Sequence, residues 1–572
     1  MFVTVPLLRA IVTMLSRGRF ILLICAVLGP FKNATSLVLE PSDQRSRTQP
    51  TLNFEADEYV DLPDGFLLGA GTSAMQVEGA WNTDGKSESV MDYFLHLDLN
   101  GTSYAAMKPP DVAANSYERY KEDVAAAAAL KLQVYRFSVS WPRVLPKGDT
   151  SEINQAGVDY YNNLINEIIS YNIQPMITMN HFDFPLVTMK KTGGWADERI
   201  VKAFTEYADF LFKTFGDRVQ LWTTINEPNY YCMNFALFDI PGVYKRQPGD
   251  DYKCVHHTIL AHMETYRLYE QKYKATQKGK IGAAALTLWC RPNSTSYEDI
   301  QAAERANLFA LGSIYNPVVY GDYPAALKDR VEYYSRKEGL TESRLPKFTE
   351  EQKLRLKGSA DFLCFNAYMG TTVADGTRAP HPDIGTMESD RDAIEVGTST
   401  KPGFFGDLFM RANPWVLREA PLWIRDNYPG VPLFITENGW GDERVGADPL
   451  DDWPRVGYHS QYLQQLIRVA KEDGVKVMGY LVWSLIDTYE WTSNYDRKFG
   501  LVHVDYEGGS LNRTLKKSAP FFQEIGIRKR VPKVPFTFVP GSNDEHTGSG
   551  SERILMHPSL SVLFVIILSW FH

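Results

Sequence analysis

The sequence is short of the features that mark several functional classes. Only five cysteines occur in 572 residues, and no two stand at Cys-x-x-Cys spacing, so no metal site of that type is indicated. There is no basic block either. A net charge of −9 is spread along the chain, which argues against nucleic acid as the main partner and favours a neutral or small ligand. No motif appears twice, so tandem catalytic units are not expected.

What is present is a large apolar and aromatic content, 44% and 13% of residues, enough to fill a core and leave rings to line a cleft. Barrels with insertions can exceed about 400 residues as one unit, so a single large domain is admissible. The N-terminal segment carries Arg9, Arg17 and Arg19, then the apolar run Phe20 to Leu28, then Ala34-Thr35-Ser36. This is the layout of a secretory signal over residues 1–36, and the run is short for the competing reading as a membrane anchor. Three sequons follow, at Asn100, Asn293 and Asn512, where export would allow glycans. With Cys25 removed in the signal, Cys232 and Cys254 bracket a Gly- and Pro-containing loop and are a possible disulfide, while Cys290 and Cys364 read as buried thiols. At the other end, small residues from Thr547 to Ser551 precede an apolar run from Leu560 to Phe571. That order matches a glycolipid-anchor signal over 550–572, the alternative being a frayed tail packed on the domain. An extracellular, cell-surface location follows from this reading, with the membrane engaged only through the lipid.

Eight short apolar runs begin at Gly65, Val134, Pro175, Leu221, Lys280, Asp361, Pro432 and Val477, each followed by helical periodicity. Helices are expected over Tyr117–Lys131, Val201–Phe215, His256–Lys272 and Tyr458–Glu472. Strands apolar throughout and joined by long crossovers imply a parallel sheet buried on both faces. Eight of them imply an α/β fold, a single (β/α)8 TIM barrel with inserted loops over 61–525, with a linker over 526–549.

In such a barrel the active site forms at the C-terminal ends of the strands. Polar residues gather there: His181 ends the third run, Asn226 and Glu227 the fourth, Glu437 the seventh, and Trp483, Glu490 and Trp491 lie in or just after the eighth. Two carboxylates facing each other across the mouth, about 5 Å apart, would suit glycoside cleavage with retention, one as nucleophile and one as proton donor.

On these residues the chain resembles glycoside hydrolase family 1, the β-glucosidase family that includes lactase, myrosinases and the klotho proteins. TTINEPN at Thr223 resembles the family's acid/base segment, which implies Glu227 as general acid and then base. ITENGW at Ile435 resembles its nucleophile segment, which implies Glu437. GAGTSAMQVEGAW at Gly69 implies Gln76 as a ligand of sugar hydroxyls, with His181 and Asn226 in the same network. Arg136 and Tyr368 are implied as supports of the nucleophile, and Trp483, Glu490 and Trp491 as the rest of the sugar pocket. Such chemistry needs no cofactor and no metal. Glu227, in the less polar setting, is expected to hold its proton.

Four positions depart from the family pattern, Met75, Phe182, Cys364 and Asn494, and these bear on pocket shape rather than on the reacting groups. Glu490 disfavours phosphorylated sugars, which leaves unphosphorylated β-glucosides or β-galactosides as the expected substrates. The resemblance also admits a thioglucosidase of the myrosinase type and a non-catalytic co-receptor of the klotho type, although the latter has typically lost one glutamate. Oligomeric state is not legible.

Overall fold

The computed structural model describes residues 55–102, 104–396 and 408–538. The expected signal, the anchor tail and the linker beyond residue 538 lie outside these.

Thirteen strands are present among the described residues: β1 Tyr59–Asp61, β2 Leu67–Gly71, β3 Val134–Ser138, β4 Gln174–Asn180, β5 Leu221–Ile225, β6 Lys280–Pro292, β7 Phe362–Asp375, β8 Ala393–Glu395, β9 Leu433–Asn438, β10 Val477–Trp483, β11 Val502–Val504, β12 Arg513–Leu515 and β13 Arg530–Pro532. Eight of them pair in the order β6-β5-β4-β3-β2-β10-β9-β7, and a further β6–β7 pairing closes the ring. Every pairing around it is parallel. This is the (β/α)8 barrel, its eight strands falling on the eight apolar runs.

The bore is filled with side chains and is not a channel. Val134, Met176, Leu221, Ala284, Phe362, Cys364, Phe434 and Leu481 form one buried cluster with Leu67 against it, so all eight strands contribute. Cys364 therefore plugs the barrel below the site, and burial pushes its thiol far up from its usual range. Where strands approach most closely the residue is glycine: a Cβ on Gly69 would collide with the Val134 carbonyl and the Leu481 side chain.

Helices cover the outside: α1 Ser116–Ala129, α2 Gln155–Ser170, α3 Arg199–Phe215, α4 Pro228–Asn234, α5 Asp250–Lys272, α6 Tyr297–Asn307, α7 Ser313–Tyr320, α8 Val416–Asn427, α9 Trp453–Lys471 and α10 Ala519–Arg528. On α3 the buried residues Ile200, Phe204, Tyr207, Ala208, Leu211 and Phe215 recur at three- and four-residue spacing, the stripe that lays a helix on a sheet. The four helices expected from periodicity are all present, several starting up to six residues earlier, as with α5 at Asp250.

The boundary expected at 525 is corrected. α10 runs to Arg528, and β13 pairs antiparallel with β1, Val531 opposite Val60. Val534, Phe536 and Phe538 then pack on the core. Part of the segment expected as linker is thus ordered structure packed on the domain. Among the described residues no helix is long and apolar enough to cross a membrane.

Candidate active site

The strand ends bring the chemistry-bearing side chains together. Glu437 lies in β9 and is 3% exposed, and Arg136, in the middle of β3, is fully buried. Arg136 donates from Nη1 to Glu437 Oε1 at 2.5 Å, and the Tyr368 hydroxyl in β7 donates to Glu437 Oε2 at 2.7 Å. Each carboxylate oxygen thus has one strong donor, and one of these carries a full positive charge. Tyr368 is held in turn, since its carbonyl accepts from the hydroxyls of Tyr458 and Tyr462, both at 2.8 Å.

Glu227 lies two residues beyond the end of β5 and caps α4, with φ of +44°. A non-glycine residue in the left-handed region costs about 1–2 kcal/mol, and Pro228 further disfavours the right-handed helical region at this position. Phe182 at φ +75°, in contact with Trp491 at +51°, and Asn494 at +49° also take up left-handed backbone. The Glu227 carboxyl accepts from Asn366 Nδ2 at 2.7 Å. Burial, and next the charge on Glu437, push it well above the usual carboxylate range, against the smaller opposing effects of Asn366 and Arg136. A neutral acid thus faces a carboxylate held by a cation.

Asn226 connects the two halves. Its Oδ1 accepts from Arg136 Nη2 at 2.7 Å and from Asn366 Nδ2 at 3.1 Å, which fixes its amide orientation. Its Nδ2 lies 3.3 Å from His181 Nε2 and must be the donor. Burial, reinforced by Arg136, pushes His181 well below its ordinary range, so the ring is neutral. With Nε2 accepting, the proton sits on Nδ1, which has no partner among the described residues. A buried N–H is left for a ligand hydroxyl. The His181 ring stacks on Trp483, centroids 5.5 Å apart.

Glu490 completes the floor. It accepts from Thr488 Oγ1 at 2.5 Å, Trp483 Nε1 at 3.1 Å and Gln76 Nε2 at 3.4 Å. Burial dominates these bonds and pushes its carboxyl up to about 7. Gln76 is oriented by Ser73, whose hydroxyl donates to Gln76 Oε1 at 2.6 Å, while its own Nε2 donates to the Tyr489 carbonyl at 2.7 Å. Trp491 stacks on Phe235 at 4.8 Å and lies 5.5 Å from Phe182. Phe182 in turn stacks on Tyr231. Asn494 accepts from the Lys108 backbone and donates to the Ala106 carbonyl, both at 2.9 Å, and so ties the 106–108 segment to this wall. Gly439 has a local cause: a Cβ there would strike the Trp483 carbonyl.

All ten residues expected at the site lie in this cluster. Sequence reasoning missed Asn366, Thr436, which donates to Asn366 Oδ1 at 2.6 Å, and Thr178, which accepts from Arg136 Nε at 2.9 Å. Away from the site, Cys232 in α4 and Cys254 in α5 are joined, and Cys290 and Cys364 are free and buried. Asn100, Asn293 and Asn512 are all exposed. Among the described residues no His, Cys, Asp and Glu group could hold a metal ion.

The comparison with known proteins adds the decisive observation: residues 58–531 match the description "Glycosyl hydrolase family 1". The chain belongs to that family. It is 36% identical to human lactase/phlorizin hydrolase over 86% of its own length, but spans only 25% of that protein. Over 81% of its length it is 38% identical to myrosinase 1 of Brevicoryne brassicae, covering 98% of it, and 37% identical to a cytosolic β-glucosidase of Cavia porcellus, covering 97%. Among solved structures, aphid myrosinase superposes with a TM-score of 0.74 at 38% identity over 82% of this chain and 99% of that one. A rice β-glucosidase does so at 0.73 and 35%, over 81% and 99%. The family thus joins this chain to a curated β-glucosidase and a myrosinase of nearly the same extent.

Proposed function

We propose that the protein hydrolyses unphosphorylated β-glucosides or β-galactosides by double displacement. Glu437, its oxygens oriented by Arg136 and Tyr368, attacks the anomeric carbon and forms a glycosyl ester. Glu227, protonated because burial and the Glu437 charge disfavour its ionised form, donates its proton to the departing oxygen. Esterification consumes the Glu437 charge, which removes one of the two effects that raise Glu227. The same carboxylate, now ionised, then takes a proton from water as that water attacks the ester. His181, Gln76 and Glu490 supply polar partners for sugar hydroxyls, and Trp483 and Trp491 offer faces to ring C–H groups. The buried Glu490 would repel a phosphorylated sugar.

The observation that supports this most is the asymmetry of the pair: one glutamate sits between a guanidinium and a phenol, the other is buried without a cation of its own. The test is hydrolysis of aryl β-glucosides and β-galactosides by the full chain and by Glu437→Gln, with the first-formed anomer read by NMR. We expect a β-anomer from the wild type and a loss on the order of 10⁴-fold or more in the variant. Equal inertness of the two, or an α-anomer released first, defeats the proposal.

We infer further that the enzyme works outside the cell, exported by the segment 1–36, glycosylated at exposed sequons and held by a lipid added near Gly548 or Ser549. Digestion with a phosphatidylinositol-specific phospholipase should release it from cells. Retention after complete digestion counts against the anchor.

A further inference from the structure

Beyond the rim of the barrel β6 and β7 remain paired, with Arg291 opposite Thr372 and Pro292 opposite Val373. Beside this ribbon, between α6 and α8, lies a cavity of about 340 Å3 that shares no lining residue with the Glu227–Glu437 cluster. That volume lies within the range of small-ligand sites, about 300–1,000 Å3.

Its wall combines apolar surface from Trp289 and Ile300 with polar groups from Arg291, Gln301, Glu304 and Glu419. Arg291 Nε donates to both Glu419 oxygens at 2.9 Å, its guanidinium lies 3.7 Å over the Trp415 ring, and Trp289 Nε1 donates to Glu419 Oε2 at 3.0 Å. That pair is neutral and internally satisfied. Glu304 is different. It accepts only from the indole N–H of Trp423, at 3.1 and 3.0 Å, and has no cation partner among the described residues. Burial pushes its carboxyl above the usual range. One helical turn away, the Gln301 side chain makes no hydrogen bond to another described residue, and the i,i+3 spacing puts both on one face of α6. A half-buried acceptor without a cation and an uncommitted amide therefore border a space with an indole and an aliphatic wall.

We propose that this cavity is a second, non-catalytic binding site for a sugar ring, its hydroxyls donating to Glu304 and pairing with Gln301 while its C–H groups lie against Trp289 and Ile300. An anionic ligand would meet the Glu304 carboxylate, which has no cation partner among the described residues, whereas a neutral polyol can donate hydroxyls to it and pair with Gln301 while its C–H face lies on Trp289 and Ile300. The sugar has two possible sources, a free saccharide or a glycan on the chain itself, because the exposed sequon Asn293 directly follows the lining residue Pro292.

Calorimetric titration of the full chain carrying Glu437→Gln, which cannot consume the probe, with glucose, galactose and N-acetylglucosamine in turn tests this. For at least one of these sugars we expect two binding events per chain. Gln301→Trp, which fills the cavity from the helix surface, should reduce them to one, and Glu304→Gln should weaken the second about tenfold. In the otherwise wild-type enzyme neither change should alter aryl glycoside hydrolysis. A second event that appears only with Asn293→Gln identifies the occupant as the chain's own glycan. A single event with every sugar, unmoved by Gln301→Trp, Glu304→Gln or Asn293→Gln, overturns the proposal, whether or not the enzyme proves to be a glycosidase.

Discussion

Asn366 and Glu227 are joined by a 2.7 Å hydrogen bond in which the amide donates, and Thr436 fixes that amide by donating to its oxygen. A donor of this kind favours the ionised carboxylate, so Asn366 partly offsets the burial that keeps Glu227 protonated. Asn366→Ala should raise Glu227 further and move the alkaline limb of the kcat/KM profile to higher pH. It should also slow turnover roughly 10- to 100-fold, the worth of one hydrogen bond to a charged group. A pH profile superimposable on that of the wild type would show that Asn366 does not act through Glu227.

Arg136 serves four acceptors at once, Glu437, the Thr436 carbonyl, Asn226 and Thr178, from a position with no solvent access. Arg136→Met strands a buried carboxylate, a loss of about 3–5 kcal/mol if Glu437 stays charged. We expect a lower melting temperature and no measurable turnover. Arg136→Lys restores the charge without the fork, so it should regain stability but little rate, because one ammonium cannot bridge Glu437 and Asn226 together. Full activity in the lysine variant would mean that charge alone orients the nucleophile.

The difference between what was legible and what was not follows from range. The barrel strands are apolar throughout because both faces are buried, so the pattern is local. Glu227 and Glu437 stand out because a carboxylate beside such a run is unusual. Asn366 gave a fainter signal of the same kind, a lone amide within FLCFNAYM. Thr178 and Thr436 gave none, since threonine is an ordinary strand residue. The boundary at 525 failed because β13 is defined by its partner β1, some 470 residues earlier, and pairing at that distance leaves no periodicity to read. The cavity beside β6 was equally invisible, since Trp289, Glu304 and Glu419 come from three separate elements.

The Cys232–Cys254 bridge ties α4, which begins at the residue after Glu227, to the long helix α5, across a sequence separation of 22. Closing a loop of that length stabilises by about 3 kcal/mol in the chain-entropy account. The double variant Cys232→Ala with Cys254→Ala should melt several degrees lower. Reductant should shift the wild type toward the same value and leave the variant unmoved. A wild type indifferent to reductant under unfolding conditions would argue that the bridge carries no stability.

Two buried carboxyls outside the reacting pair should make the fold sensitive to pH. Glu490 is pushed up to about 7 by burial, and Asp183 to about 7 by burial and then by Glu78. Both lie above their unfolded values, so the folded state binds protons more tightly. Their contribution is complete below about pH 4 and is lost as pH rises through 7. Thermal melts should therefore fall between pH 5 and pH 8, and Glu490→Gln, which carries no titrating proton, should flatten that slope. Asp183→Asn should flatten it independently, since no bond links the two residues, and the double variant should flatten it by the sum. If melting of the wild type is constant over this interval, neither group changes its proton affinity on folding, and burial does not hold the Glu490 and Asp183 carboxyls above their ordinary range.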